Sequence, residues 1–266
     1  MTRLLAPAKL TLSLAVTGID AHGYHRLRSE MVSLSLADEL TFTEGARGLT
    51  VVADPGTRAE SLSGDAPNLI TQALAAVGRQ AAVQLRKRIP LGGGLGGGST
   101  DAAAVLRWAH CKDLAIARTL GSDVPFSVVG GRALVEGTGE HVTPLPFEQR
   151  QLLLLFPPFG VDTAKVYAAW DAGARTDTPD GLGNALTAAA LAVEPRLAGW
   201  RDALRHVAGV EPALAGSGST WFAEIAQAAE VAQSAGASEL PGWLTRGDER
   251  ARLIAAHTVP AGWDRS

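Results

Sequence analysis

The stretch Pro90-Leu-Gly-Gly-Gly-Leu-Gly-Gly-Gly-Ser-Thr-Asp101, running directly into Ala102-Ala-Ala-Val-Leu106, holds the residue types that most plainly suggest chemistry. Six glycines in the seven positions from Gly92 to Gly98 remove almost every Cβ atom, so the backbone can turn sharply and approach a ligand closely. Ser99, Thr100 and Asp101 are good helix caps, and the alanine and leucine run after them favours a helix. A bare glycine loop entering a helix N-terminus aims unpaired N–H groups and the positive end of the dipole at one point. That suits an anion, most often a phosphate.

Two familiar phosphate loops fit poorly. Gly92-x-Gly94-x-x-Gly97 matches the dinucleotide fingerprint, and Asp113 lies near the offset of its ribose acid, but the residues between read as a helix with no second strand. A Walker A loop needs a lysine after its last glycine, and the order here is Gly97-Gly98-Ser99.

Other residues able to do chemistry lie far from this loop in sequence. Lys9 sits beside the alternating run Leu10-Thr11-Leu12-Ser13-Leu14, where a lysine by itself usually reads as a solvent-facing or snorkelling strand residue. Asp123, in Ser122-Asp-Val-Pro-Phe126, reads as a helix cap before Pro125 or as a working carboxylate. Gly23-Tyr24-His25 is by itself an ordinary exposed turn, and Ala213-Leu-Ala-Gly-Ser-Gly-Ser-Thr220 is a second glycine-serine turn. Cys111, the single cysteine, excludes an intramolecular disulfide framework and a cysteine-rich zinc site.

The elements that must position these residues follow from periodicity. Strands are expected over Arg3–Val16, Met31–Thr43, Leu49–Ala53, Ala82–Ile89, Val128–Val135, His141–Leu145, Leu152–Phe156 and Trp221–Ile225. Helices are expected over Asn68–Val77, from Ala102 after the glycine loop, and over Asp113–Leu120, Thr163–Trp170, Asn184–Val193, Leu197–Val207 and Ala226–Ala235. Gly18–Gly23 reads as a turn, and Arg246–Ser266 is charged and weakly patterned. Strands and helices mix without a steady βαβ rhythm, which argues for an α+β fold. At 266 residues the chain can form one large or two modest domains. A net charge of −3 without a basic run makes nucleic acid and anionic membrane poor partners. With no stretch of membrane-spanning length and no signal-peptide pattern at the N-terminus, a cytoplasmic enzyme is expected.

Three segments together resemble the three motifs of the GHMP kinases, the superfamily of galacto-, homoserine, mevalonate and phosphomevalonate kinases. They are Pro7-Ala-Lys-Leu-Thr-Leu12, Pro90–Asp101 and Leu214-Ala-Gly-Ser-Gly-Ser-Thr220. Gly23-Tyr24-His25 and Leu120-Gly-Ser-Asp-Val-Pro-Phe126 resemble the branch whose substrate is a cytidine-diphosphate-linked alcohol; the likeness runs from about residue 4 to 245. The resemblance implies a ribosomal-protein-S5-domain-2-like domain over 1–148 and a ferredoxin-like domain over 149–266, ending in a poorly patterned tail, 246–266.

The resemblance also implies ATP and Mg²⁺ as cofactors and assigns roles residue by residue. Pro90, Leu91, Gly92, Gly93, Gly94, Leu95, Gly96, Gly97, Gly98, Ser99 and Thr100 would cradle ATP, with Ser99 near Mg²⁺ and Asn68 near the adenine. Asp123 would accept the proton of the attacking hydroxyl, and Lys9 would pair with it and offset charge on the transferring group. Thr11 would lie near the substrate hydroxyls. Tyr24 would stack on the cytosine, His25 would read its edge, and Thr163 and Tyr167 would form a second wall. Gly216, Ser217 and Gly218 form the third motif. The chain departs from the family pattern at Thr11, where asparagine is customary, and at His22, where aspartate is. It departs again in a short link from Trp108 to Asp113, and around Asn184-Ala-Leu-Thr187, which lacks the customary acids. The alternatives are a mevalonate- or homoserine-type kinase, or a nucleotide-binding protein that has lost catalysis.

Overall fold

A computed structural model describes residues 1–59, 68–176, 183–226 and 242–264. The chain opens with a long antiparallel hairpin of β1 (Thr2–Ile19) and β2 (His25–Glu44). The Asp20 carboxylate closes its turn by accepting from the backbone N–H groups of His22 and Tyr24, each at 2.9 Å, so β1 continues past the expected turn start at Gly18. The register of this hairpin shifts between Pro7 and Lys9 and again between Thr11 and Ser13. Such bulges re-aim side chains, and here they bracket Lys9 and Thr11, which share one face of the strand at a spacing of two.

β2 organises the N-terminal half. Its C-terminal part pairs with β4 (Ala81–Lys87), which pairs in parallel with β3 (Gly48–Ala53); its N-terminal part pairs with β5 (Arg132–Gly137), which pairs with β6 (His141–Pro144). Helices α1 (Leu69–Ala76), α2 (Gly97–Trp108), α3 (Leu114–Leu120) and α4 (Val124–Val129) complete this half. The alanine-rich α2 is buried from Thr100 to Leu106, and its small side chains let it lie close against Leu4, Leu40, Phe42 and Leu85.

The C-terminal half contains β7 (Gln151–Phe156), α5 (Thr163–Asp171), α6 (Thr187–Val193), α7 (Arg196–Ala208), β8 (Ala213–Leu214), β9 (Trp221–Glu224), β10 (Gly242–Arg246) and β11 (Glu249–Val259). Val166, Leu197, Trp200 and Leu204 pack the helices onto Leu153, Leu155, Trp221 and Leu253. β11 pairs with β7 from Arg252 to His257 and then with β2 through Thr258 and Val259, fusing both halves into one sheet. A shared core of Leu10, Leu34, Ile89, Leu95, Leu152, Leu154 and Ile254 lies across that seam. Among the described strand pairs only β3 with β4 is parallel, besides an isolated parallel bridge between Leu14 and Asn184, in keeping with an α+β fold.

Three expectations are corrected. The weakly patterned 246–266 tail contributes β11, whose residues Ala251 to Ile254 are buried on both faces and so show no period of two. Its end is anchored further: Leu5 N–H donates to the Asp264 carbonyl and Arg107 pairs with Asp264 at 2.9 Å. Helix α2 starts at Gly97, with Gly96 at its cap, so Ser99, Thr100 and Asp101 lie inside its first turns and do not cap it. The expected strand Val128–Val135 divides, because α4 runs to Val129 and β5 begins at Arg132 after two glycines with positive φ. The helix expected over Ala226–Ala235 lies, beyond Ala226, outside the described residues.

Candidate active site

The glycine loop is an open row of backbone donors. Among the described residues, the N–H groups from Gly92 to Gly96 meet no acceptor, while the loop is held by its other atoms. Leu91 N–H donates to the Thr57 carbonyl at 2.8 Å, Lys9 N–H to the Leu95 carbonyl at 3.1 Å, and Thr220 N–H to the Gly93 carbonyl at 3.3 Å. Gly94 has φ +78°, and a Cβ there would stand 2.5 Å from the Ala215 carbonyl oxygen. A Cβ on Gly96, at φ +64°, would stand 2.8 Å from Lys9 Cγ and 3.5 Å from an Asp123 oxygen. Glycine is therefore required at both positions by space as well as by conformation.

The second motif is thus packed between the other two. Gly216 lies beside Lys9 Nζ and Thr11 Oγ1, each about 4 Å from where its Cβ would be. Thr163 and Ser217 share a hydrogen bond of 2.8 Å, joining the start of α5 to this third turn. Buried Asn184, expected at the start of a helix that in fact begins at Thr187, holds the turn by donating to the carbonyls of Leu214 at 2.9 Å and Gly216 at 2.5 Å.

Lys9 and Asp123 form the charged centre. Lys9 Nζ lies 3.2 Å from Asp123 Oδ2 and donates to Thr11 Oγ1 at 3.3 Å. Asp123 occupies the cap position of α4 yet makes no side-chain cap hydrogen bond; its carboxylate turns to Lys9 and remains 28% exposed, against 8% for Lys9. The side chain does not cap α4; its carboxylate lies between Lys9 and the glycine loop.

The remaining loop residues divide by side chain. Pro90 and Leu95 are buried core, and the Thr100 hydroxyl donates inward to the Pro7 carbonyl at 2.7 Å, so only its backbone belongs to the loop. Ser99 keeps a hydroxyl near Gly121, just before Asp123. Asn68 caps α1 through Oδ1 to Ile70 N–H at 2.8 Å, and the adjoining Leu69 lies against Gly98. Two supports carry no local sequence signal. Arg58, a non-glycine residue with φ +58°, donates to the Leu91 carbonyl and braces the loop's start. Beneath the loop's end, Lys87 pairs with Asp38 and, at 2.9 Å, with Asp101; all three are almost fully buried.

That triad has two carboxyls and one cation. Asp38 accepts from Lys87 and from the N–H groups of Arg88 and Ile89, whereas Asp101 accepts from Lys87 alone and its Oδ1 has no partner. Burial, opposed by the Lys87 charge and reinforced by Asp38, pushes the Asp101 carboxyl up to about 8. Burial opposes the charge on Lys87, but the two carboxyls outweigh it and hold its pKa above the ordinary lysine value.

A cleft of about 310 Å³ opens beside Asp123, with Tyr24, His25 and Tyr167 on its walls. Here the arrangement departs from the expected pair of tyrosines. The His25 ring itself stacks on Tyr167, with centroids 4.5 Å apart, while Tyr24 is 63% exposed and joins no ring pair among the described residues. His25 Nε2 is 2.8 Å from Asp171 Oδ1, a partner that sequence reasoning missed because it lies on the far half of the chain. Burial first, and the Asp123 charge second, push the Tyr167 hydroxyl up to about 12, so it is neutral at ordinary pH.

Among the described residues no cluster of three acidic, histidine or cysteine side chains could hold a metal ion, and no helix is long and apolar enough to cross a membrane. A separate cavity of about 550 Å³, flanked by Arg107, Cys111 and Asp264, shares none of these site residues.

The arrangement has close parallels among known proteins. Residues 68–131 match the GHMP kinases N terminal domain. A 4-diphosphocytidyl-2-C-methyl-D-erythritol kinase of Paracoccus denitrificans is 36% identical over 91% of this chain and 94% of its own length. One from Pelotomaculum thermopropionicum is 35% identical over 86% of this chain and 91% of its own. A crystal structure of 4-(cytidine 5'-diphospho)-2C-methyl-D-erythritol kinase superposes with a TM-score of 0.72 at 31% identity, covering 97% of this chain and all of the other. A mevalonate kinase structure, at 12% identity and a TM-score of 0.55, shares the fold. The chain belongs to the GHMP kinases, in the family of the 4-diphosphocytidyl-2-C-methyl-D-erythritol kinases.

Proposed function

We propose that the chain transfers the γ-phosphoryl group of ATP to the 2-hydroxyl of 4-diphosphocytidyl-2-C-methyl-D-erythritol, a step of non-mevalonate isoprenoid precursor synthesis. The observation that carries the chemistry is the Lys9–Asp123 pair at the mouth of the glycine loop. An intact pair supports turnover over a nucleotide-binding protein that has lost it.

Phosphoryl transfer needs positioning and charge neutralisation more than covalent chemistry. The open N–H groups of Gly92 to Gly96 and the start of α2 hold the ATP phosphates. Asp123 takes the proton of the attacking hydroxyl as its oxygen bonds to the γ-phosphorus and the bond to the ADP oxygen breaks. Lys9 pairs with Asp123 and offsets charge on the transferring group, and Thr11 orients the Lys9 ammonium. The Ser99 hydroxyl and Asp123 carboxylate are hard oxygen donors that would help hold Mg²⁺, which would supply neutralisation of phosphate charge. Tyr24, His25 and Tyr167 hold the cytosine; Thr163 and Ser217 close the site from the other half. On this reading residues 1–148 form the domain that carries ATP, and 149–266 the domain that completes the substrate cleft.

The test is incubation with the cytidyl substrate, ATP and Mg²⁺, followed by mass spectrometry. A product heavier by one phosphoryl group, with mevalonate and homoserine unchanged, is expected. Turnover of either of those alcohols in preference would replace this reading.

A further inference from the structure

The cleft beside Asp123 contains a cation that, among the described residues, no carboxylate touches directly. Arg118, in the last turn of α3, is half-buried and lines the same cleft as Tyr24, His25, Ser122, Thr138 and Tyr167. One guanidinium nitrogen donates to Thr138 Oγ1 at 2.7 Å. Thr138 is itself fixed, its hydroxyl and N–H both donating to Glu140 Oε2 at 2.9 and 2.6 Å. Among the described residues no carboxylate lies within 4.0 Å of the guanidinium. Arg118 therefore has a fixed direction and several N–H groups left over, and its link to a carboxylate, Glu140, runs only through Thr138.

A structural role through one threonine leaves most of the guanidinium's donors unused. An anion in the cleft would engage them, and the planar fork of arginine suits two phosphate oxygens at once. The position along the cleft matters too. Ser122 joins it to Asp123, where the hydroxyl reacts, and the rings of Tyr24, His25 and Tyr167 line the same cleft. A substrate that places a base on the rings and an alcohol at Asp123 must lay whatever links them between the two. In a nucleoside-diphosphate-linked alcohol, that link is the diphosphate.

We propose that Arg118 binds the diphosphate bridge of the substrate, oriented by Thr138, and makes the cleft select nucleoside diphosphates over nucleosides. The inference rests on the cytidyl-substrate reading above. Arg118 carries no sequence signal of its own, since an arginine near a helix C-terminus is favourable there for other reasons.

The experiment compares CDP and cytidine as competitive inhibitors against the cytidyl substrate, for the wild type, Arg118→Met, Arg118→Lys and Thr138→Val. In the wild type CDP competes far better than cytidine. Arg118→Met weakens CDP and raises the substrate KM by on the order of tenfold to a hundredfold, the range for hydrogen bonds to a charged partner. Cytidine inhibition and the KM for ATP stay within about twofold. Arg118→Lys restores part of the loss, and Thr138→Val falls between. If Arg118→Met lowers the melting temperature but leaves the ratio of CDP to cytidine inhibition unchanged, Arg118 is a strut and the proposal fails while the substrate reading stands. If neither CDP nor cytidine competes with the substrate in the wild type, both fail together.

Discussion

The glycine loop and the aromatic cleft meet at Asp123, but they are built from different materials. The loop is backbone. Its donors are N–H groups, and its shape is enforced by contacts to the Thr57, Gly93 and Leu95 carbonyls and by a buried ionic triad beneath it. The cleft is side chain. Tyr24 and His25 stand together at the β1–β2 turn, Arg118 on α3 and Tyr167 on α5, and Tyr24 is largely in solvent. A backbone site has no side chain to exchange, so a change either fits or destroys it. A side-chain site can be weakened one contact at a time. The ATP half should therefore respond in an all-or-none way and the substrate half in steps.

The largest effect is expected where the two regions join. Asp123→Asn keeps the shape of the side chain but cannot take a proton, and kcat should fall by roughly 10²–10⁴-fold, the scale of general-base catalysis. ATP binding by titration calorimetry should persist. A variant with near wild-type kcat would return Asp123 to a structural role.

Gly96→Val tests the all-or-none half. Its side chain would enter space held by Lys9 and Asp123 at a residue with φ +64°, so ATP affinity and turnover should be lost together while the thermal melt still shows a folded chain. Tight ATP binding by this variant would mean that the loop is not the phosphate site.

Stability separates the triad from the chemistry. Lys87→Met leaves two buried carboxyls without their cation, a change that costs about 3–5 kcal/mol. At roughly 2–4 °C per kcal/mol, the melting temperature should drop by about 10 °C. The pH dependence has a definite sign. Asp101 is raised from 3.8 to about 8 by burial, so the folded state binds a proton that the unfolded state has released between those values. The stability from holding that proton is complete below 3.8 and is lost progressively as pH rises toward about 8. Asp101→Asn keeps the volume and cannot ionise, so its melting temperature should fall less than that of the wild type between about pH 5 and pH 8.5. Parallel melting curves against pH would show that Asp101 does not titrate in this window.

The smallest effects belong to the cleft. Tyr167→Ala and Tyr24→Ala should each raise the KM for the cytidyl substrate by on the order of tenfold, as stacking on a base contributes about 1–3 kcal/mol per ring. The KM for ATP should hardly move. The larger loss is expected at Tyr167, which is already packed against His25, than at exposed Tyr24. Equal losses of ATP and substrate affinity would break the distinction between the two regions.

The sequence alone determined those features whose chemistry is local. Glycine density marked the loop, because only residues without Cβ permit its φ values and close contacts. Alternation marked β1 and β2, and the helical spacing of Leu69, Ile70, Ala73 and Leu74 marked α1. Spaced along the chain, Pro7–Leu12, Pro90–Asp101 and Leu214–Thr220 were legible as three motifs, although nothing in their spacing says that Gly94 touches the Ala215 carbonyl. Tertiary structure decided what depends on partners distant in sequence. Asp123 reads as a cap until Lys9, from the other end of the domain, draws its carboxylate to the glycine loop. Asp101 reads as a cap until Lys87 and Asp38 bury it, and His25 as a surface residue until Asp171 and Tyr167 enclose it. β11 has no strand period because both its faces are covered, and its place between β7 and β2 is set by backbone groups that every sequence carries. Local periodicity records which side of an element meets water; it holds no record of which element excludes that water, and the charges of this site depend on that exclusion.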